Sequence, residues 1–271
     1  MKLGLQLYSV REALTANLPE TLRAVKDMGY DYVELAGGRY GLSASEMRLA
    51  LREAGLIPVS VHSAPALFVQ DRDDVLSYLK ELGAEYSVIP CPAGRLEAYS
   101  EHWDETVGLF REMGSFFADA GIGLLYHNHD FEFTPLDGEL VIHRLLKTLE
   151  GFLSPEPDLC WISYAGERPS AFLKRYAGRM PVVHLKDYTL SKFPAKPIWT
   201  LLSEGFEKPK KRSLAGFSYA PVGYGVEDWD EAVDACREAN VEFLVVEQDS
   251  SPDPLQDAAR SCAYLRDRFG L

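Results

Sequence analysis

The segment from Tyr126 to Phe133 reads Tyr-His-Asn-His-Asp-Phe-Glu-Phe. It holds two of the chain's six histidines, His127 and His129, with Glu132 three residues beyond the second. The apolar run that precedes it, Gly121-Ile-Gly-Leu-Leu125, reads as a buried strand. Residues two apart in a strand point to one face, so His127 and His129 project together at the strand's end. Imidazoles beside a carboxylate in that position suit metal ligation or proton transfer. The competing reading is a surface loop whose histidines bond to backbone.

The elements that must position these groups alternate along the chain. Short apolar runs predict eight strands: Lys2–Tyr8, Tyr30–Leu35, Ile57–His62, Tyr86–Ile89, the run ending near His127, Asp158–Ile162, Pro181–Lys186 and Glu242–Glu247. Helical patterns lie between them. Pro19–Met28 has proline in its first turn and Gly29 at its end. Ser43 and Glu46 have capping-box spacing, and that helix stops at Gly55. Asp71–Leu82 stops at Gly83, and Trp103–Ala120 at Gly121. Further helices are expected at Leu140–Leu149, Pro169–Tyr176, Val226–Ala239 and Leu255–Phe269.

Each pair of strands is joined by a helix, which calls for a parallel sheet. Eight such units predict a (β/α)₈ TIM barrel, a single domain over residues 1–271. A doubly wound open sheet would carry a phosphate-binding glycine fingerprint after its first strand, and Ser9-Val-Arg-Glu12 is not one. An insertion over about residues 188–222 breaks the alternation after strand seven. It contains four prolines and the basic run Lys208-Pro-Lys-Lys-Arg212, and reads as a solvated excursion or a substrate lid.

Composition narrows the function. Apolar residues make up 46% and charged residues 25%, as in water-soluble globular proteins. The formal net charge of −13 disfavours loose attraction to phosphate backbones, so no nucleic-acid partner is expected. The first residues do not resemble a signal peptide, and no apolar run is long enough to span a membrane. Cys91, Cys160, Cys236 and Cys262 are widely spaced and suit free thiols in a reducing, cytoplasmic setting. A homo-oligomer is compatible with all of this.

In a barrel, chemistry sits at the carboxyl ends of the strands. The chain places polar groups there repeatedly: Glu34, His62, His127, His129, Glu132, Asp158, His184, Lys186 and Glu247. One buried carboxylate can be a structural salt bridge, but several at corresponding strand ends point to a shared site. Glu132, Asp158, His184 and Glu247 would give oxygen and nitrogen ligands without sulfur, suited to one divalent ion, Mn²⁺, Co²⁺, Zn²⁺ or Mg²⁺. Three carboxylates around a divalent ion leave a charge of about −1, a balance that can hold a neutral hydroxyketone. His62, His127, Trp161 and Glu34 are candidate substrate contacts; Trp161 could equally pack in the core, and Glu34 could pair with an arginine.

The motifs Leu5-Gln-Leu-Tyr-Ser-Val-Arg-Glu12, Gly29-Tyr-Asp-Tyr-Val-Glu34, Tyr126-His-Asn-His129, His184-Leu-Lys-Asp187, Val222-Gly-Tyr-Gly-Val-Glu-Asp-Trp229 and Val246-Glu-Gln-Asp249 cover nearly the whole length. With them the chain resembles the sugar phosphate isomerase/epimerase family, the xylose isomerase-like barrels that include endonuclease IV. The resemblance implies a Glu-Asp-His-Glu metal site from the later strands. By motif, Glu247, His184 and Asp158 match, the last in Pro157-Asp-Leu-Cys-Trp161 where relatives often read Leu-Asp-Val-Tyr-Trp. The strand-five ligand is read as Glu132, with His129 or His127 as alternatives, since relatives often place it within the strand.

The resulting expectation is a metal-dependent isomerase or epimerase acting on a sugar or keto-sugar through an enediolate. His129 or a carboxylate would remove the carbon-bound proton, Glu247 would return it, and Lys186 would hold a substrate oxygen or protonate a leaving group. Loss of a β-substituent from the same intermediate would make the enzyme a dehydratase or a keto-glycoside lyase. The readings from other classes are an endonuclease IV-like phosphodiesterase and a non-catalytic sugar-binding barrel.

Overall fold

The computed structural model describes residues 1–37, 39–191, 196–203 and 216–271. Eight strands form one parallel sheet: β1 Lys2–Gln6, β2 Tyr32–Leu35, β3 Ile57–His62, β4 Tyr86–Ile89, β5 Gly123–His127, β6 Ser154–Glu156, β7 Val182–Leu185 and β8 Phe243–Val246. Their order is β6-β5-β4-β3-β2-β1-β8-β7. The ends meet just past β6, where Asp158 bridges His184 in parallel and the His184 N–H donates to the Pro157 carbonyl at 2.9 Å. The result is the (β/α)₈ barrel expected from the alternation.

Alternation along each strand divides the barrel interior into two layers. Leu125 leads to His127, Val182 to His184 and Lys186, and Phe243 and Val245 to Glu247, in steps of two that share a face. The lower layer is apolar, a cluster of Val59, Val88, Leu125, Val182, Phe243 and Val245. The upper layer, at the carboxyl ends, is polar. Burying each large apolar side chain stabilises the fold by roughly 1.5–3 kcal/mol, and the lower layer and the helical shell together offset the cost of the polar one.

The expected boundaries change most in three places. Lys2–Tyr8 is strand only to Gln6, and Leu7–Val10 is a 3₁₀ turn. Asp158–Ile162 is not a strand. The sixth strand is Ser154–Glu156, and Asp158 caps the helix Leu159–Ala165, its Oδ1 accepting from the Trp161 N–H at 3.2 Å. A short buried apolar run fits either state, and here an aspartate at the cap position selects helix.

The third change is the segment after β7, where the described parts pair up. Asp187–Leu190 forms an antiparallel ribbon with Phe217–Ala220, and the helix Ile198–Ser203 packs between them and Tyr164. The basic run Lys208–Arg212 lies outside the described residues.

Asp187 anchors the return of this excursion to the barrel. Its buried carboxylate accepts from the Tyr188 N–H at 2.8 Å, the Gly223, Gly225 and Val226 N–H groups at 3.0 Å, the Glu227 N–H at 3.2 Å and Trp229 Nε1–H at 2.8 Å. No helix among the described residues is long and apolar enough to cross a membrane.

Candidate active site

The polar layer contains two groups of potential ligands. His127, Asp158, His184 and Glu247 each bring a donor atom to within 4.8 Å of the others'. Below them His62, His127, Glu156 and His184 do the same. His127 and His184 belong to both groups, facing one with each ring nitrogen. His184 Nδ1 lies 3.0 Å from Glu247 Oε2, while its Nε2 lies 2.7 Å from Glu34 Oε1 and 3.2 Å from Glu156 Oε1. His127 Nε2 lies 3.7 Å from Asp158 Oδ2 and its Nδ1 3.6 Å from Glu156 Oε1.

A β-bulge between Val33 and Glu34 sets Glu34 beside Ser60, whose hydroxyl donates to Glu34 Oε2. Gln6 Nε2 donates to Glu34 Oε1 at 2.6 Å. Burial would raise the Glu34 carboxyl, but His62 and His184 outweigh it and hold it well below the carboxylate range. The same ion pairing acts on the rings. Burial alone would depress His62, yet Glu34 and Glu156 push it up to about 10, and Glu34 and Glu156 likewise hold His184 above its ordinary value. His127 goes the other way, held well below by burial and then by its cationic neighbours.

Lys186 bridges three carboxylates above the histidines. Its Nζ lies 3.0 Å from Asp158 Oδ2, 2.9 Å from Glu247 Oε2 and 3.0 Å from Asp249 Oδ1, and 5.2 Å from the Trp161 ring centre. Burial pushes Asp158 up to about 6 against the pull of Lys186. Glu247 is held well below its ordinary value, because Lys186 and His184 overcome its burial.

A cavity of about 380 Å³ opens over this layer, lined by His62, His127, His129, Trp161, Lys186, Glu247 and Asp249, with Tyr8, Arg95 and Tyr219 also on its wall. His129 is fixed by stacking, with its ring centre 5.7 Å from that of Phe131 and 6.2 Å from that of Trp161, both nearly parallel. Burial depresses its basicity to about 4, so the ring is neutral near pH 7.

The structure brings together Asp158, His184 and Glu247 from the ligand set read in the sequence, and His127 completes the group. It does not bring Glu132 there. The 3₁₀ turn Phe131–Phe133 folds Glu132 back beneath the strand, where it accepts from the Tyr126 hydroxyl at 2.5 Å and from the His129 N–H at 2.8 Å. His129, Lys186, His62, His127 and Trp161 reach the cavity. Glu34, read as a substrate contact, is fully buried below the histidines and absent from the cavity wall.

Glu156 was not anticipated. It sits between Pro155 and Pro157, two residues before Asp158, and only the correct placement of β6 reveals it as an inward strand-end carboxylate. The four histidines read at the strand ends, His62, His127, His129 and His184, four of the chain's six, converge there.

The donor set fits a divalent ion. Its ligands are nitrogen and oxygen only, and four buried carboxylates, Glu34, Glu156, Asp158 and Glu247, crowd one layer. Two buried atoms among them, His127 Nδ1 and Glu156 Oε2, have no hydrogen-bond partner.

Comparison with known proteins places this geometry. Among curated proteins, an inosose dehydratase of Clostridium beijerinckii is 25% identical over 225 residues, 75% of this chain and 70% of that protein. A solved sugar phosphate isomerase/epimerase from Parabacteroides distasonis superposes with a TM-score of 0.79 at 20% identity, covering 99% of this chain and 94% of that one. A probable 3-DHS dehydratase involved in petrobactin synthesis in Bacillus anthracis superposes with a TM-score of 0.74 at 13% identity, covering 99% and 100%. The model of the xylose isomerase-like TIM barrel family matches residues 22–268, and the chain belongs to that family.

Proposed function

We propose that this chain is a metal-dependent lyase that dehydrates a cyclic keto-polyol or a related keto-sugar by removing the proton beside its carbonyl. The observation that carries the reading is the unlike pair of proton-handling groups on the cavity wall: neutral, stacked His129 and cationic Lys186. Elimination of water needs a base at one carbon and an acid at the next. Reversible epimerisation is better served by two groups of similar proton affinity on opposite faces. Glu247, read as the group that returns the proton, lies on the cavity wall but among the candidate ligands, beside His184 and Lys186, and Glu132 is turned away from the cavity. The name of the Clostridium beijerinckii relative, inosose dehydratase, and that of the Bacillus anthracis structure, 3-DHS dehydratase, agree with elimination.

Asp158, His184, Glu247 and His127 are the residues that would hold the ion. A divalent ion there supplies a Lewis acid beside the substrate carbonyl. His129 takes the proton from the carbon next to the carbonyl, and the electron pair passes through the enediolate to expel the neighbouring hydroxyl. The Lys186 ammonium gives that hydroxyl its proton, so water leaves and a carbon–carbon double bond remains. With Asp158 and Glu247 committed to an ion, Lys186 loses two of its three carboxylate partners and becomes a better acid. Trp161, packed against His129, keeps the base in place.

The test separates the two proton transfers. Lys186→Met is expected to lower dehydration of a keto-inositol by about 10²-fold or more while exchange of the α-proton with solvent continues. His129→Ala should lose both. Equal loss of exchange and dehydration in the Lys186 variant would contradict its assignment as acid.

A further inference from the structure

We propose that Glu34 and Glu156 are positioning residues that hold His184 and His127 in opposite tautomers, so that His184 ligates a divalent ion through Nδ1 and His127 through Nε2. The inference rests on the metal reading above and extends it to the layer beneath.

A neutral imidazole has one N–H and one lone pair, and an anionic acceptor beside one nitrogen fixes the proton there. Both nitrogens of His184 face carboxylates, so the choice turns on which carboxylate is free to ligate. Glu34 is not. Its Oε1 already receives Gln6 Nε2 at 2.6 Å, His62 Nε2 at 2.8 Å and His184 Nε2 at 2.7 Å, and its Oε2 receives the Ser60 hydroxyl. With its acceptor capacity filled, Glu34 can take the His184 N–H but offers no lone pair to an ion. Glu247, on the cavity wall, is the carboxylate left to share the ion with Nδ1.

His127 sits in the reverse sense. Its Nδ1 faces Glu156 across 3.6 Å and has no hydrogen bond, and Glu156 Oε2 also lacks one. A proton on Nδ1 finds its acceptor once that gap shortens by about half an ångström. The lone pair then lies on Nε2, toward Asp158. The two rings meet edge to face with centres 4.6 Å apart. His62 keeps the lower carboxylates in register, touching Glu34 at 2.8 Å and Glu156 at 3.2 Å while stacking on His184 at 5.6 Å.

The experiment loads the full chain with Zn²⁺ and records long-range ¹H–¹⁵N spectra of its imidazoles. The expected result is a proton on Nε2 of His184 and on Nδ1 of His127. In parallel, Glu34→Gln and Glu156→Gln should each weaken zinc binding about 10- to 100-fold in competition with a chelating dye. The metal-free unfolding midpoint should move far less than a loss of fold would require. Protons on the opposite nitrogens would place the ion in the lower group and overturn the proposal, as would unchanged zinc affinity in both variants. A wild-type chain that binds no zinc would instead overturn the metal reading itself.

Discussion

Asp187 and Gly225 approach so closely that a β-carbon on Gly225 would stand 2.0 Å from Asp187 Oδ1. The Gly225 N–H donates to Asp187 Oδ2 at 3.0 Å, one of several donors gathered on that carboxylate. This contact closes the excursion after β7 onto the barrel, and it lies one residue from Lys186. The motifs His184-Leu-Lys-Asp187 and Val222–Trp229 are therefore two halves of one structural device.

Gly225→Ala is expected to cost about 1–3 kcal/mol through overpacking against Asp187. Asp187→Asn should cost at least as much, since an amide N–H would face N–H donors. Chemical denaturation should show a lower midpoint at an unchanged slope. A wild-type midpoint for Gly225→Ala would mean the backbone moves aside freely.

Removing an ion held by the candidate ligands should lower stability. At an ion concentration a thousand times the Kd, linkage is worth about 4 kcal/mol, so a chelator should depress the Tm and re-addition should restore it. Glu247→Gln should shrink that difference, because it removes one of the candidate ligands beside His184 and Lys186. Identical melting curves with and without chelator would count against a metal site.

Glu132 supplies a pH signature. Burial raises its carboxyl to about 7, against the opposing pull of the Tyr126 hydroxyl and the His129 N–H. Between the ordinary glutamate range and about pH 7 the folded chain keeps a proton that the unfolded chain has lost. Stability from this group is therefore full at low pH, falls as pH rises through that window and levels off above it. The loss is on the order of 3 kcal/mol. Glu132→Gln should flatten this part of the stability–pH curve, with the Tyr99 to Tyr126 hydroxyl chain reversing its direction. An unaltered curve would show that Glu132 is ionised throughout.

The barrel was legible because its punctuation is local. Ile57–His62 and Tyr86–Ile89 begin and end where the pattern puts them, each following a helix closed by glycine in a left-handed turn, Gly55 or Gly83. His184, Lys186 and Glu247 were legible too, since steps of two along short apolar strands set them on one face. What escaped depended on geometry that sequence does not carry. Glu156 hides between two prolines on a three-residue strand with no apolar signal of its own. Whether Glu132 points up or down hangs on one turn of 3₁₀ helix. Glu34 looks like any strand-end carboxylate until the bulge beside it delivers it to Ser60 and His184.

The most direct test is deuterium incorporation followed by mass spectrometry, with zinc- or manganese-loaded protein, a keto-inositol and D₂O. The account predicts loss of one water per substrate turned over, and solvent deuterium at the carbon beside the carbonyl in the substrate that is recovered. Substrate recovered unchanged in mass from fully metal-loaded protein, across keto-inositols and ketoses alike, would contradict proton abstraction at this site.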